Sequence, residues 1–274
     1  MEQTLEKQIQ VRDINYLLQK VVDKYNPLQI YCFHKDEQSR KVSGCFSGFQ
    51  DAEHCDYWLL MVTEGGSRIE NAVQDFVNTH YEFGKITILA HGKEGIARSI
   101  SDGYRFFANV YNAGKLLYNR QFCVKTYILY SSVLTSYRER SKLAFDNGIS
   151  RAEGFLHGAK ECLASKKYNV CAFMLHQAVE QCCIALIVLY MDYRCDIHNL
   201  YRLLMLCRCF TDVPFKLFIT GSEDDQAIFD KLVKSYSNAR YALDFKIEAL
   251  EIDMLLEQVS SLLNFAKDDV RPTV

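Results

Sequence analysis

YNVCAFMLHQAVEQCCIALIVLYM, residues 168–191, is apolar on almost every side, yet it carries His176 and Glu180 one helical turn apart. At about 100° per residue that pair and Cys183 fall in the sector that also holds Ala172, Val179 and Ile187, so the polar residues face the packed side of a helix. A helix that is apolar all round belongs in the middle of a bundle. A carboxylate placed there has to be paired, hydrogen-bonded or protonated, because an unsatisfied charge in an apolar interior is costly. His176 is the nearest partner along the helix, and His198 and Arg240 are candidates from other segments. Two roles are open: a polar network that fixes helix register, or the floor of a binding groove.

Working outward, helical spacing recurs over 126–165, 198–210, 224–243 and 248–267, and the short connections favour antiparallel neighbours in a bundle. The first half changes period more often. A helical pattern over 5–25 stops before Asn26-Pro27, and β-forming runs follow at 28–33, 56–62 and 85–91, with a helix over 67–83 between the last two. Residues 96–119 read as a helix, a turn and a short apolar ending. Strand, helix and strand suggest a small α/β or α+β first domain, and the chain as a whole is taken as α+β: that domain, with a mixed sheet, over 1–120, a connecting helical segment over 121–144 and an all-α bundle over 145–268.

Among 274 residues, 49% are hydrophobic and the formal net charge is -2, which supplies no strong basic patch for nonspecific binding to nucleic acid or an anionic membrane. The densest basic cluster, Arg138, Arg140 and Lys142, encloses Glu139 and reads as a solvated helix face. The apolar run CCIALIVLYM, 182–191, is shorter than the roughly 20 residues a membrane span takes. The opening MEQTLEKQIQVRD is charged, unlike a secretory leader. The cysteine count, 11, is odd and none of the spacings is C-x-x-C, so the expectation is a cytoplasmic protein with no metal site, whose thiols act mainly as small buried hydrophobes.

Three separated motifs occur in order: AFMLHQAVE (172–180), HNL (198–200) and ARY (239–241). Together they make residues 145–268 resemble the HEPN domain family. That resemblance implies four main helices and a short one, a homodimer, and a polar groove associated with a nucleotide or RNA ligand. Carried onto this chain, the groove residues are His176, Glu180, His198, Arg240 and Tyr241. Ribonuclease members of the family use R-x(4–6)-H on a late helix, but no histidine follows Arg240. Arg151 and His157 repeat the spacing on the first bundle helix instead.

The first 120 residues resemble the nucleotidyltransferase-like domain often fused to HEPN, with NAGKLLYN (112–119) matching a G-x-x-LY helix ending. The resemblance implies a Gly-Ser loop for the triphosphate, a D-x-D strand that puts two carboxylates on one face, and a third acid completing a two-metal site. Here HKDEQSRKVSG (34–44) has no Gly-Ser pair, Asp56 is followed two residues on by Trp58, and KITILAH (85–91) has no acid. Glu64-Gly65-Gly66-Ser67 follows the Asp56 strand and reads as a turn. In His54-Cys55-Asp56 adjacent side chains point to opposite faces, which argues against a cysteine–histidine relay.

The resulting expectation is a degenerate nucleotidyltransferase-like domain, a pseudoenzyme, joined to a HEPN domain that serves as a non-catalytic nucleotide- or RNA-associated binding or regulatory module without a cofactor. Asp56 and Arg240 are the candidate catalytic residues in the alternatives. One is an active nucleotidyltransferase with atypical ligands, Asp56 with Asp51 and Glu53, which alone would call for Mg²⁺. The other is a ribonuclease in which Arg240 works with a histidine from another helix, such as His198.

Overall fold

The computed structural model describes residues 14–44, 47–65, 69–120, 131–242 and 244–268, with the side chains of 38–44, 47–53, 131–137 and 240 outside that description. Two compact units divide between Tyr130 and Ser131. Of the expected helix over 5–25, the described part is α1, Ile14–Tyr25.

In the first unit β1 (Gln29–Gly44) and β2 (Ser47–Thr63) pair antiparallel, β3 (Ile86–Gly92) adds parallel to β2, and β4 (Lys115–Asn119) adds antiparallel to β1, in the order β3-β2-β1-β4. The sheet is thus mixed. Side-chain alternation sends Ile30, Leu59, Met61, Ile86 and Ile88 to one face, under Leu17 and Val21 of α1 and Val73 and Val77 of α2 (Glu70–His80). Trp58, Leu60 and Leu89 belong to the opposite face, where Phe33 meets Phe106 and His91 meets Phe107, aromatic residues of α4 (Arg105–Ala113).

Two features of this unit depart from the periodicity. β1 continues past Phe33 through polar residues to Gly44, because its partner strand supplies cross-strand contacts that outweigh weak β-propensity; Lys35 lies over the Tyr57 ring, 5.6 Å from its centre. The segment 96–119 forms two helices, α3 (Lys93–Ser101) and α4, broken at Gly103 with φ 80°, and its apolar ending is the edge strand β4.

At the other edge, Gln74 of α2 is buried with its amide against β3. Its Nε2 donates to the Ile86 carbonyl at 2.6 Å, and its Oε1 accepts from the Ile88 amide at 3.1 Å. One side chain thereby stands in for a missing neighbouring strand. Gly84, at φ 149°, brings the chain into β3 so closely that a Cβ there would lie 2.0 Å from the Cys55 carbonyl oxygen.

The second unit is helical: α5 (Ser131–Ala164), α6 (Tyr168–Met191), α7 (Leu200–Cys207), α8 (Val213–Phe218), α9 (Glu223–Tyr241) and α10 (Ala249–Asp268). α5 runs unbroken across position 145. α6 packs against α5, α7, α9 and α10 and is the axis of the bundle. Its 24 residues are long and apolar enough to cross a membrane, but 61% of the most apolar window is buried within the unit, as suits a core helix. Helix starts follow local chemistry: Asn199 accepts from the Arg202 amide, Ser222 accepts from the Asp225 amide, and Glu223, Asp224 and Asp225 crowd the positive end of α9. Pro214 begins the short α8, which the hydrophobic pattern alone does not announce.

The basic cluster on α5 is not uniformly a solvated face. Arg138 is exposed and Lys142 pairs with Asp146, but Arg140 reaches both carboxylate oxygens of buried Asp192 at 3.2 Å, and the Ser141 hydroxyl donates to the same carboxylate at 2.9 Å. Asp192 sits just past α6 at φ 50°, a left-handed position that ends the helix.

Candidate functional site

Glu180 is held in the core of α6 with its side chain 5% exposed, and two side chains, His198 and Gln177, donate to it. His198, just before α7, places Nδ1 3.2 Å from Glu180 Oε1. Gln177 places Nε2 3.5 Å from Oε2, while His176 Nδ1 stands 3.9 Å from Oε2, too far for a good hydrogen bond. The same Gln177 nitrogen lies 3.2 Å from His176 Nδ1. An amide nitrogen only donates, so in this contact His176 Nδ1 is the acceptor. An ionised carboxylate only accepts, so His198 donates through Nδ1 and turns Nε2 away from Glu180. The His198 side chain is 62% exposed, in contrast to buried His176.

Tyr236 of α9 joins the two imidazoles. Its ring centre is 5.1 Å from that of His176, and it stacks on His198 at 6.1 Å with 10° between planes. Ser235 beside it is fully buried and donates to the Leu232 carbonyl, with a second contact to the Ala172 carbonyl of α6 at 3.2 Å that fixes the α9 register. Three helical segments therefore meet at one carboxylate, with an imidazole at the surface and an aromatic platform behind it.

Of the expected groove residues, His176, Glu180 and His198 are brought together. Tyr241 ends α9 with 78% exposure, and the aromatic residue that stacks on the histidines is Tyr236. Arg240 lies in the last turn of α9, with its side chain outside the described residues. Tyr236 precedes Arg240 by one helical turn, and that spacing is the signal that could have found it. Arg151 and His157 are parted: Arg151 Nε donates to Gln181 of α6 at 2.7 Å, whereas His157 lines a groove of about 330 Å³ with Ser260 and Asn264 of α10.

Thiols in this region are poor nucleophiles. Burial pushes Cys182 well up, and a hydrogen bond with Cys207, then burial, does the same to Cys183.

In the first unit the Asp56 carboxylate is buried, and Oδ1 accepts from the Lys85 amide at 2.6 Å, with His54 Nε2 at 3.0 Å. It ties the start of β3 to β2. His54 and Asp56 share a face, as alternation requires, and Cys55 points the other way. Trp58, two residues after Asp56 on the same face, is fully buried against His34, ring centres 4.7 Å apart. The side chains of Asp51 and Glu53, and residues Gly66 and Ser67, lie outside the described residues.

Residues 147–269 match the HEPN domain family. That stretch is similar to HEPN domains. Its match begins within α5, and the Glu180 cluster is inside it. Among solved structures, the whole chain aligns with a nucleotidyltransferase-like protein from Exiguobacterium sibiricum 255-15 at 11% identity and a TM-score of 0.28, covering 95% of this chain and 82% of that one. No curated protein matches the chain.

Proposed function

We propose that the HEPN domain is a nucleotide- or RNA-associated binding module whose site is centred on Glu180, working as a homodimer, and that the first unit is a nucleotidyltransferase-like scaffold without transfer activity. The observation that carries the binding site is the buried Glu180 holding an exposed His198 against Tyr236. A base can stack on such an aromatic surface, and a phosphate or hydroxyl can meet the imidazole. The scaffold reading is supported by Asp56 being engaged by the β3 backbone and by Trp58 filling the neighbouring position on the same face. No cofactor is called for.

Titration calorimetry with ATP and GTP, with and without Mg²⁺, tests both halves. Binding independent of Mg²⁺ and lost in a folded Glu180→Gln variant is the expected result. Mg²⁺-dependent binding abolished by Asp56→Ala would overturn the scaffold reading and favour an active nucleotidyltransferase. Light scattering on the purified protein measures the homodimer directly.

A second reading is favoured by one observation: His198 engages Glu180 through Nδ1 and leaves Nε2 on an exposed ring, a placement from which a neutral imidazole can serve as a general base. With Arg240 steadying a phosphate, His198 would make the domain a ribonuclease. Single-stranded RNA that is cut by the wild type and survives His198→Ala would establish this reading, and intact RNA with both proteins would remove it.

A further inference from the structure

The head of α6, about three turns before Glu180 on the same helix, opens on a groove of about 490 Å³. Lys166 and Lys167 line it from the turn that joins α5 to α6, and Lys246 lines it from the segment before α10. Asn169 Nδ2 donates to the Phe245 carbonyl at 2.9 Å, tying that segment to α6 and holding Lys246 beside the other two. All three lysines are exposed, and among the described residues none of their ammonium groups is paired with a carboxylate. The acid on the lip is Glu248, whereas Glu251, one turn inside α10, is gripped by Lys231 at 2.7 Å and accepts from the Glu248 amide, so it does not neutralise the groove.

Three like charges converging in one concavity repel each other and raise the potential there, which favours an anionic occupant. The first turn of α6 has no side-chain cap, so its amides add partial positive charge in the same place. Tyr168 lines the groove as well and offers an aromatic surface. We infer that Lys166, Lys167 and Lys246 form a phosphate-binding groove for a nucleotide, separate from the Glu180 site. The phosphate belongs either to a free nucleoside triphosphate or to the backbone of a single strand.

The test uses the full chain with two probes, ATP by calorimetry and a fluorescein-labelled single-stranded RNA 12-mer by anisotropy. The test variant is Lys166→Asn, Lys167→Gln and Lys246→Gln together. Lys166 has φ 57°, a conformation asparagine tolerates, and the other two changes are on exposed side chains, so the fold is kept. Binding of at least one probe should weaken at least tenfold at low salt. For RNA the log–log salt slope should become shallower by about 2, the release expected from three single-strand phosphate contacts. Weakened ATP binding identifies the free nucleotide, and weakened binding of RNA alone identifies the strand. Undiminished binding of both probes, or no binding of either by the wild type, overturns the inference. Glu180→Gln is run in parallel: loss of binding in that variant with full binding in the lysine variant also overturns it, while the reverse pattern supports the groove and counts against the Glu180 site.

Discussion

Gly148 of α5 faces Ala185 of α6 so closely that a methyl group on residue 148 would sit 2.7 Å from the Ala185 Cβ. Two helix backbones approach here because neither contributes more than one carbon. Gly148→Ala, which in an exposed helix would stabilise by about 1 kcal/mol, should instead destabilise by about 1–3 kcal/mol. Urea denaturation measures this, and the double variant with Ala185→Gly should recover part of the loss. A stabilised Gly148→Ala protein would show that α5 and α6 are not this close.

Gln74 answers two main-chain groups on the β3 edge, donating to one and accepting from the other through a single amide. Gln74→Leu keeps the volume and removes both partners. The cost should be about 1–3 kcal/mol for each group left unsatisfied. Hydrogen exchange at Ile88 reads it locally, and unchanged protection of that amide would sink the assignment.

Burial pushes the Cys171 thiol up to about 12, and Cys182 and Cys183 are likewise raised. At pH 8 native protein treated with iodoacetamide should be labelled at half-buried Cys162 well before these three, as followed by mass spectrometry. Denaturant should abolish the difference. Equal native rates at Cys171 and Cys162 would contradict the packing described here.

Burial acts to raise the Glu251 carboxyl, but hydrogen bonds from the Glu248 amide and Lys231 outweigh it, and the net displacement is below the ordinary 4.5. A lowered folded value means the charged form is the one favoured by folding. Its contribution is fully present above pH 4.5 and is lost as the pH falls through the lowered value. Thermal melts of the wild type and Glu251→Gln should therefore differ near neutral pH and converge in acid. A gap that widens in acid would reverse the sign.

Legibility in the sequence followed burial. α6 could be read from its composition because a helix surrounded by four others is apolar on every side, and Glu180 stood out against that background. His198 was accessible through its motif. The β1–β2 hairpin was not readable beyond Phe33, since its far half is polar and is stabilised by pairing, which leaves little trace in periodicity. Gly103 was the overlooked signal that divides α3 from α4. In the sequence Arg140 has the pattern of a solvated residue, because a single chain position does not reveal a buried carboxylate 52 residues away. Tyr236 escaped for a similar reason: its meaning comes from α6 and the start of α7 converging on it.

The grip of Arg140 and Ser141 on Asp192 also bears on where the helical unit can be excised. Both gripping residues precede the matched stretch 147–269, while the carboxylate they satisfy lies inside it. A fragment begun at residue 147 would carry Asp192 without Arg140 and Ser141, at the very point where α6 must stop. A piece meant to keep this contact therefore starts upstream of the family boundary, and the turn of α5 that carries Arg140 and Ser141 belongs to the bundle as a built-in brace.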